Sequence, residues 1–155
     1  MVVVRSAGEA DNLQIRRLVQ ESLASFNLVV EFDGLDAAIG SAGLPTIKNL
    51  IELVAELDQQ VCGCIALEAL EMVNTQEAKV FGFHVDHRYR GKGIGRSLLT
   101  ALMSEAKERG LKTLHLDTWD NMHSAIRLYE SLGWMPAPDP APESGANRSY
   151  VFTIS

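Results

Sequence analysis

The chain of 155 residues lacks the features that mark membrane, secreted and nucleic-acid-binding proteins. No apolar run approaches the roughly 20 residues that a transmembrane helix needs, so no membrane partner is predicted. The N-terminal residues 1–5 have no positively charged region and are too short for a secretory signal, so we expect a cytoplasmic protein. The formal net charge of −6 argues against nucleic acid as the main partner.

Cysteine is also scarce, with only Cys62 and Cys64 in the whole chain. Their C-x-C spacing differs from the C-x-x-C of zinc knuckles and redox motifs, and no metal site is predicted. Both lie in an apolar β-type run, where a period of two places the two side chains on one face of a strand. We expect small buried thiols that fill the core.

The strongest signal is a basic, glycine-rich segment, residues 88–97, between a β-prone run at 80–85 and a helical run that begins at Leu98. A strand, a glycine turn and a helix start direct free backbone N–H groups and the positive end of the helix dipole at an anion. The segment lacks both the G-x-G-x-x-G dinucleotide pattern and the P-loop pattern. It therefore predicts a different phosphate site, with four added positive charges from Arg88, Arg90, Lys92 and Arg96.

The pattern Arg90-x-x-Gly93-x-Gly95 resembles the signature of the GNAT N-acetyltransferase family, whose loop holds the pyrophosphate of acetyl-coenzyme A. A second motif supports the resemblance, because the family has an Asn near a helix start, an Ala-x-x-Leu-Tyr run and a closing Gly-Phe. Here these positions hold Asn121, Ala125, Leu128-Tyr129 and Gly133-Trp134. The two motifs span about residues 78–135, and Trp134 replaces the usual Phe.

The resemblance implies a single α/β (α+β) domain over residues 1–155, with a central mixed, mostly antiparallel twisted sheet flanked by helices. Hydrophobic patterning predicts the order β-α-(α)-β-β-β-α-β-α-β. The predicted strands are 2–5, 50–57, 61–72, a strand that ends at 85, 113–118 and 150–154. The predicted helices are 10–26, 35–39, 98–109 and about 122–132, and residues 136–147 are predicted to form an irregular loop.

The resemblance also implies an acetyl-CoA-dependent enzyme that acetylates a primary amine of a small molecule or peptide by direct attack on the thioester, without a metal. The strand before the loop would lend its backbone to the pantetheine arm, and the Val85 N–H would donate to the acetyl carbonyl. Asn121 is expected to cap the following helix and to contact the ligand. The expected cofactor-binding residues are Phe83, Val85, Arg90, Gly91, Lys92, Gly93, Ile94, Gly95, Arg96, Ser97 and Asn121.

One catalytic role follows from the same resemblance, and a second from His84, the only titratable side chain on the strand before the loop that is expected close to the thioester. Tyr129 matches the tyrosine that protonates the coenzyme A thiolate in many relatives. Many relatives carry a glutamate base on the strand before the loop, but Lys79 stands at about that position here. His84, with an ordinary pKa near 6.5, is the expected base. Its rivals, acting directly or through water, are Asp117, Asp120 and Glu68.

Other functions are also compatible with the sequence. The chain could be a non-catalytic acyl-CoA-binding or sensor domain of the same fold, or a structural α/β module whose basic loop binds another anion. The acidic stretch with Glu31, Asp33 and Asp36 favours a cationic amine as acceptor. The acceptor's identity, acyl groups other than acetyl, and a homodimer as opposed to a monomer are left undecided.

Overall fold

A computed structural model describes residues 1–45, 49–70, 76–138 and 146–155. Its four helices and seven strands follow the predicted order, with one short strand added near the C-terminus. Short 3₁₀ turns precede α1 and α3, at Glu9–Asp11 and His87–Tyr89. The elements are β1 (Val3–Ser6), α1 (Asn12–Ala24), α2 (Ala37–Gly40), β2 (Ile51–Leu57), β3 (Gln60–Ala69), β4 (Glu77–Val85), α3 (Ile94–Glu108), β5 (Thr113–Thr118), α4 (His123–Ser131), β6 (Met135–Ala137) and β7 (Arg148–Thr153).

The strands form one sheet in the order β1-β2-β3-β4-β5-β7-β6. Strands β4 and β5 pair in parallel, and the other recorded pairings are antiparallel. A parallel pair needs a crossover connection, which α3 supplies here. The predicted mixed, mostly antiparallel sheet is therefore confirmed.

Helices cover both faces of the sheet and divide the core into two layers. On one face α3 buries Leu98, Leu99 and Leu102 completely, and α4 packs beside it. On the other face α1 buries Ile15 and Val19 completely, with α2 next to it. Full burial of each such side chain contributes about 1.5–3 kcal/mol. The apolar faces of these helices therefore hold them against the sheet.

Most predicted boundaries shift by one or two residues, and three parts of the prediction differ by more. Helix α3 begins at Ile94 rather than at Leu98, with Gly93 as its N-cap. Strand β6 lies at the start of the segment predicted to be a loop, and residues 139–145 of that segment lie outside the described residues. Strand β3 ends at Ala69, and the predicted extension to residue 72 reaches residues outside the described part.

The expectation that Cys62 and Cys64 share one face is wrong. Ala55 pairs with Gly63 and Glu56 with Val61, so Cys62 is an extra residue in β3 and the alternation slips by one position. Cys62 packs in the α3 layer and Cys64 in the α1 layer. Both thiols are buried, as predicted, and burial raises the pKa of Cys64 to about 12.

Candidate active site

A gap opens between β4 and β5 because their parallel pairing is short. The recorded register covers only the first three residues of each strand and ends at Lys79 opposite His115. Beyond that point β4 continues to Val85 and β5 continues to Thr118. A cavity of about 1000 Å³ lies there, lined by residues of both strands and by elements on both faces of the sheet.

A bulge in β4 forms one wall of this cavity. Cys64 pairs with His84 and Ala66 with Phe81, so two residues of β4, Gly82 and Phe83, stand opposite one residue of β3. Gly82 has a φ of +61°, and a Cβ at this position would lie 2.5 Å from Ile39 Cδ1. Only glycine fits this turn of the backbone under α2. The bulge interrupts the ladder with β3, and the Gly82 carbonyl there accepts a hydrogen bond from Cys64 Sγ at 3.3 Å.

The glycine turn forms another wall, at the N-terminus of α3. Gly91 and Gly93 have φ values of +78° and +75°, and a Cβ at either would meet no heavy atom within 4 Å. The Ser97 N–H donates to the Gly93 carbonyl at 3.0 Å, which begins the hydrogen bonding of α3. By helix geometry the N–H groups of the three residues before Ser97 have no acceptor within the helix. Open space and free donors therefore coincide at this turn.

The four positive charges predicted for this loop are not equally available. Arg88 is held by the buried Asp86 carboxylate, with Nη2 at 2.7 Å from Oδ2. Arg96 Nη2 donates to Ser131 Oγ at 3.0 Å. Arg90 and Lys92 are exposed, and no ion pair is recorded for them within the described ranges. Arg90 lines the cavity, so it is the cation best placed for an anionic ligand.

The structure brings most of the predicted site residues around this one cavity. Its lining includes Phe83, His84, Val85, Arg90, Gly91, Gly93, Ile94, Gly95, Asn121 and Tyr129. Lys92, Arg96 and Ser97 lie beside it, outside its lining. Asn121 is not the N-cap of α4, which begins at His123 with Met122 as its cap residue. The capping prediction is therefore wrong, and Asn121 lies in the turn before the helix.

His84 does not have the pKa expected of it. Its Nδ1 lies 2.9 Å from Ser22 Oγ on α1, and burial lowers its pKa to about 4. Desolvation disfavours the charged imidazolium, and within the described part of the chain no charged group offsets this effect. His84 is therefore neutral across the physiological range, and its basicity is low for accepting a proton from an alkylammonium group.

Tyr129 stands at the other side of the gap, inside an aromatic cluster. Its ring centroid lies 6.2 Å from that of Phe83, 6.1 Å from Trp134 and 5.8 Å from Tyr150. Burial and the neighbouring Tyr150 raise the pKa of the phenol above its ordinary value near 10. The hydroxyl therefore keeps its proton at neutral pH and can donate it.

Titratable side chains also line the cavity on the α1 and α2 face of the sheet. Lys79 Nζ lies 2.9 Å from Asp117 Oδ2, and Ser149 Oγ donates to Asp117 Oδ1 at 2.6 Å. Glu68 stands opposite Lys79 in the register of β3 and β4. Burial raises the pKa of the Glu68 carboxyl, while the charge of Lys79 lowers it by a smaller amount.

Sequence reasoning missed three residues of this site. A glycine inside an apolar strand run is a signal for a bulge, and Gly82 carried that signal. Ser22 and Ile39 reach the site from α1 and α2, and nothing in the sequence pattern links them to β4.

Two features are absent from the described ranges (1–45, 49–70, 76–138 and 146–155). No helix there is long and apolar enough to cross a membrane. No group of three or more His, Cys, Asp or Glu side chains there could hold a metal ion.

The sequence profile of the acetyltransferase (GNAT) family matches residues 16–134. The [ribosomal protein bS18]-alanine N-acetyltransferase of Escherichia coli strain K12 is 41% identical over 75 residues, which are 48% of this chain and 51% of that enzyme. The chain thus spans about half the length of the curated ribosomal-protein acetyltransferases that it matches.

Solved structures share the fold. A GNAT-family acetyltransferase from Staphylococcus aureus Mu50 superposes with a TM-score of 0.85 at 19% identity, with all of both chains covered. The PaiA N-acetyltransferase of Thermoplasma acidophilum, solved with coenzyme A, gives 0.77 at 17% identity, with 99% of each chain covered. The fold, the glycine turn and the family profile agree, and the chain belongs to the acetyltransferase (GNAT) family.

Proposed function

We propose that this chain, acting as one domain over residues 1–155, transfers an acetyl group from acetyl-CoA to a primary amine of a small molecule or peptide. One observation carries the proposal. A single cavity joins the open glycine turn at the start of α3 to the bulge of β4 and to titratable groups on the opposite face of the sheet. Acetyl-CoA that enters from one face of the sheet can therefore meet an amine that enters from the other face.

The donor half of the cavity fits a pyrophosphate. Small anions bind where free N–H groups and a helix dipole converge, as they do at residues 94–96. The open space beside Gly91 and Gly93 leaves room for phosphate oxygens to approach the backbone. Arg90 adds a positive charge at the same wall. Coenzyme A bound to a related structure supports this assignment.

The gap between the strands fits an extended arm. Pairing of β4 with β5 ends at Lys79, so no β5 partner is recorded for the edge of β4 that faces the gap from residue 80 to Val85. A pantetheine chain can therefore hydrogen-bond to β4 as an added strand would. We assign Phe83 and Val85 this main-chain role, and Asn121 a contact from the turn before α4.

Acetyl-CoA, when bound, supplies an activated acetyl thioester. Tyr129 then holds the proton needed at the departing sulfur, since its hydroxyl stays protonated at neutral pH. The Val85 N–H donates to the acetyl oxygen as negative charge develops there. The neutral form of the amine attacks the acetyl carbon, the carbon–sulfur bond breaks, and the proton lost by the amine passes to solvent water, because the neutral, Ser22-bonded His84 is too weak a base to hold it.

The test combines a binding arm and a turnover arm. In the first, melting temperature is measured with acetyl-CoA, coenzyme A and NADH. A rise with both coenzyme A forms and none with NADH supports the donor site, whereas a rise with none of them overturns it. A ligand at about 100 times its Kd adds roughly 2.7 kcal/mol of stability.

The second arm measures thiol release from acetyl-CoA with a library of amines. The library includes peptides with N-terminal alanine, because an Escherichia coli relative is named for acetylation of an alanine of a ribosomal protein. Thiol release that depends on the amine supports the enzyme. Tight coenzyme A binding with no release for any amine favours the non-catalytic acyl-CoA-binding domain.

A further inference from the structure

We propose that Glu68 makes the acceptor site select amines that have no carboxylate beside the amine, such as peptide N-termini and amino-acid amides, over free amino acids. The proposal rests on the proposed function and assigns to Glu68 a part in acceptor recognition. It concerns the face of the cavity opposite the glycine turn.

The position of Glu68 is the first argument. Its Cα pairs with that of Lys79, at the end of the parallel pairing where the gap begins. Its side chain is half-buried and lines the cavity. It lies on the same face of the sheet as Cys64 and Ala66, which pack in the α1 layer. An acceptor that enters beneath α1 and α2 therefore passes this carboxylate.

Charge pairing is the second argument. Lys79 is the cation that lines this half of the cavity, and its Nζ is bound to Asp117 at 2.9 Å. The second oxygen of Asp117 accepts the Ser149 hydroxyl. Asp117 thus has a partner at each oxygen, while no hydrogen bond or ion pair is recorded for Glu68 within the described ranges. Lys79 also attracts Glu68 through its charge, but one ammonium group cannot neutralise two carboxylates, so Lys79, Asp117 and Glu68 together keep one net negative charge toward an acceptor.

Two further residues of the cavity lining, Glu31 and Asp36, carry negative charge, as Glu68 does. They line the mouth of the cavity, and the Asp36 carboxylate accepts the backbone N–H of Glu31 at 2.8 Å. Glu31 is exposed, so water and salt screen its charge. Glu68 is less accessible to water, and its charge acts more strongly over the same distance. It is therefore the group whose removal changes the selectivity most.

The size of the effect follows from Coulomb's law. A carboxylate about 8 Å from Glu68, at an effective dielectric constant of about 20, is disfavoured roughly 30-fold. Because Glu68 is only half-buried, we expect the carboxylate of a free amino acid to be disfavoured about tenfold. Burial already disfavours the charged form of Glu68, as its raised pKa indicates, and a second carboxylate nearby would disfavour it further.

The experiment uses pairs of probes that differ only in the carboxylate. Thiol release is measured for glycine, alanine, leucine and phenylalanine and for the amide of each, with the wild-type protein, Glu68→Gln and Glu108→Gln. Glu108 is exposed near the C-terminal end of α3, outside the cavity lining, so its variant has the same change in net charge. The readout is the ratio of kcat/KM for amide and acid. Differences in amine basicity cancel when that ratio is compared between proteins.

We expect the wild-type protein and Glu108→Gln to prefer the amides, and Glu68→Gln to reduce that preference about tenfold. An unchanged preference in Glu68→Gln overturns the role of Glu68, as does a wild-type preference for the free acids. No release with any amide also overturns the inference, because a site of this charge would accept at least one. If another amine then supports release, the proposed function still stands. If coenzyme A also fails to bind, both fail.

Discussion

Replacing Gly93 with alanine tests the glycine turn, because stability and ligand binding can be separated there. Gly93 has a φ of +75°, a conformation that costs an L-residue about 1–2 kcal/mol. Apart from its own chain neighbours, the new methyl group would meet no heavy atom within 4 Å, so the backbone conformation accounts for the loss of stability. The same methyl group would occupy the open space next to the free N–H groups of α3.

Gly110→Ala is the matched control. Gly110 follows the other end of α3, has a φ of +81°, and also has no heavy atom within 4 Å of an added Cβ. It does not line the cavity. Both variants should therefore lose about 1–2 kcal/mol of unfolding free energy. At about 2–4 °C per kcal/mol for a chain of this length, each Tm should fall by about 2–8 °C.

Coenzyme A should then distinguish the two variants. At about 100 times its Kd it stabilises the wild-type protein by roughly 2.7 kcal/mol, a rise in Tm of about 5–11 °C. If the methyl group weakens binding about 100-fold, the same concentration gives RT ln 2, or about 0.4 kcal/mol, and a rise of about 1–2 °C. Gly110→Ala should keep the full rise.

The assay is differential scanning fluorimetry with and without coenzyme A, followed by titration calorimetry on both variants. Suppose Gly93→Ala melts as low as Gly110→Ala yet gains the full rise with coenzyme A. The space beside Gly93 would then not belong to the ligand, and the pyrophosphate assignment would be refuted.

Three further predictions concern single side chains. Tyr129→Phe keeps the aromatic packing and should lower kcat on the order of 100-fold with an unchanged KM for acetyl-CoA, measured by thiol release; a loss of less than about twofold would leave Tyr129 a packing role only. His84→Gln should leave the shape of the rate profile between about pH 6 and 9 unchanged, because a group with a pKa of about 4 does not titrate there; loss of an inflection near neutral pH would contradict this. Asp11→Asn should cost roughly 1–2 kcal/mol at neutral pH, since two hydrogen bonds from Arg5 lower the Asp11 pKa. That stabilisation is present above the unfolded pKa of about 3.9 and is lost as pH falls, so denaturant titrations at pH 7 and pH 3 should show a smaller difference for the variant.

Local chemistry explains why much of the site could be predicted. Gly91 and Gly93 have the positive φ angles that only glycine adopts without strain, and the helix that follows has an apolar stripe of regular spacing. The predicted start of α3 at Leu98 is wrong, also because of a glycine. Glycine has a low helix propensity, so the sequence favours a loop at Gly95. In the structure Gly95 lies in the first turn of α3, against Phe83 and Leu128.

Features that depend on a partner strand could not be predicted. The slip at Cys62 arises from its pairing with β2, about which the local pattern of β3 says nothing. Strand β6 is three residues long, contains Pro136, and pairs only with β7 at the edge of the sheet. Proline is tolerated in edge strands, but it removes the usual sequence signal for a strand. Pairing between distant segments determines both features.

The residue types of the active site could also be predicted from the sequence, but their protonation states could not. His84 and Ser22 are 62 positions apart, and the burial of the imidazole between α1 and β4 exists only in the folded chain. A histidine near a thioester site suggests a base at the level of sequence, whereas burial without a counter-charge makes it a weak one. Tertiary contacts also decide which carboxylates of the cavity have partners. Asp117 is held by Lys79 and Ser149, while Glu68, on a strand with no motif of its own, has only the charge of Lys79 as a recorded partner and lines the cavity. We therefore expect proton transfer and acceptor choice to depend on tertiary contacts, and the variants of His84 and Glu68 test the two separately.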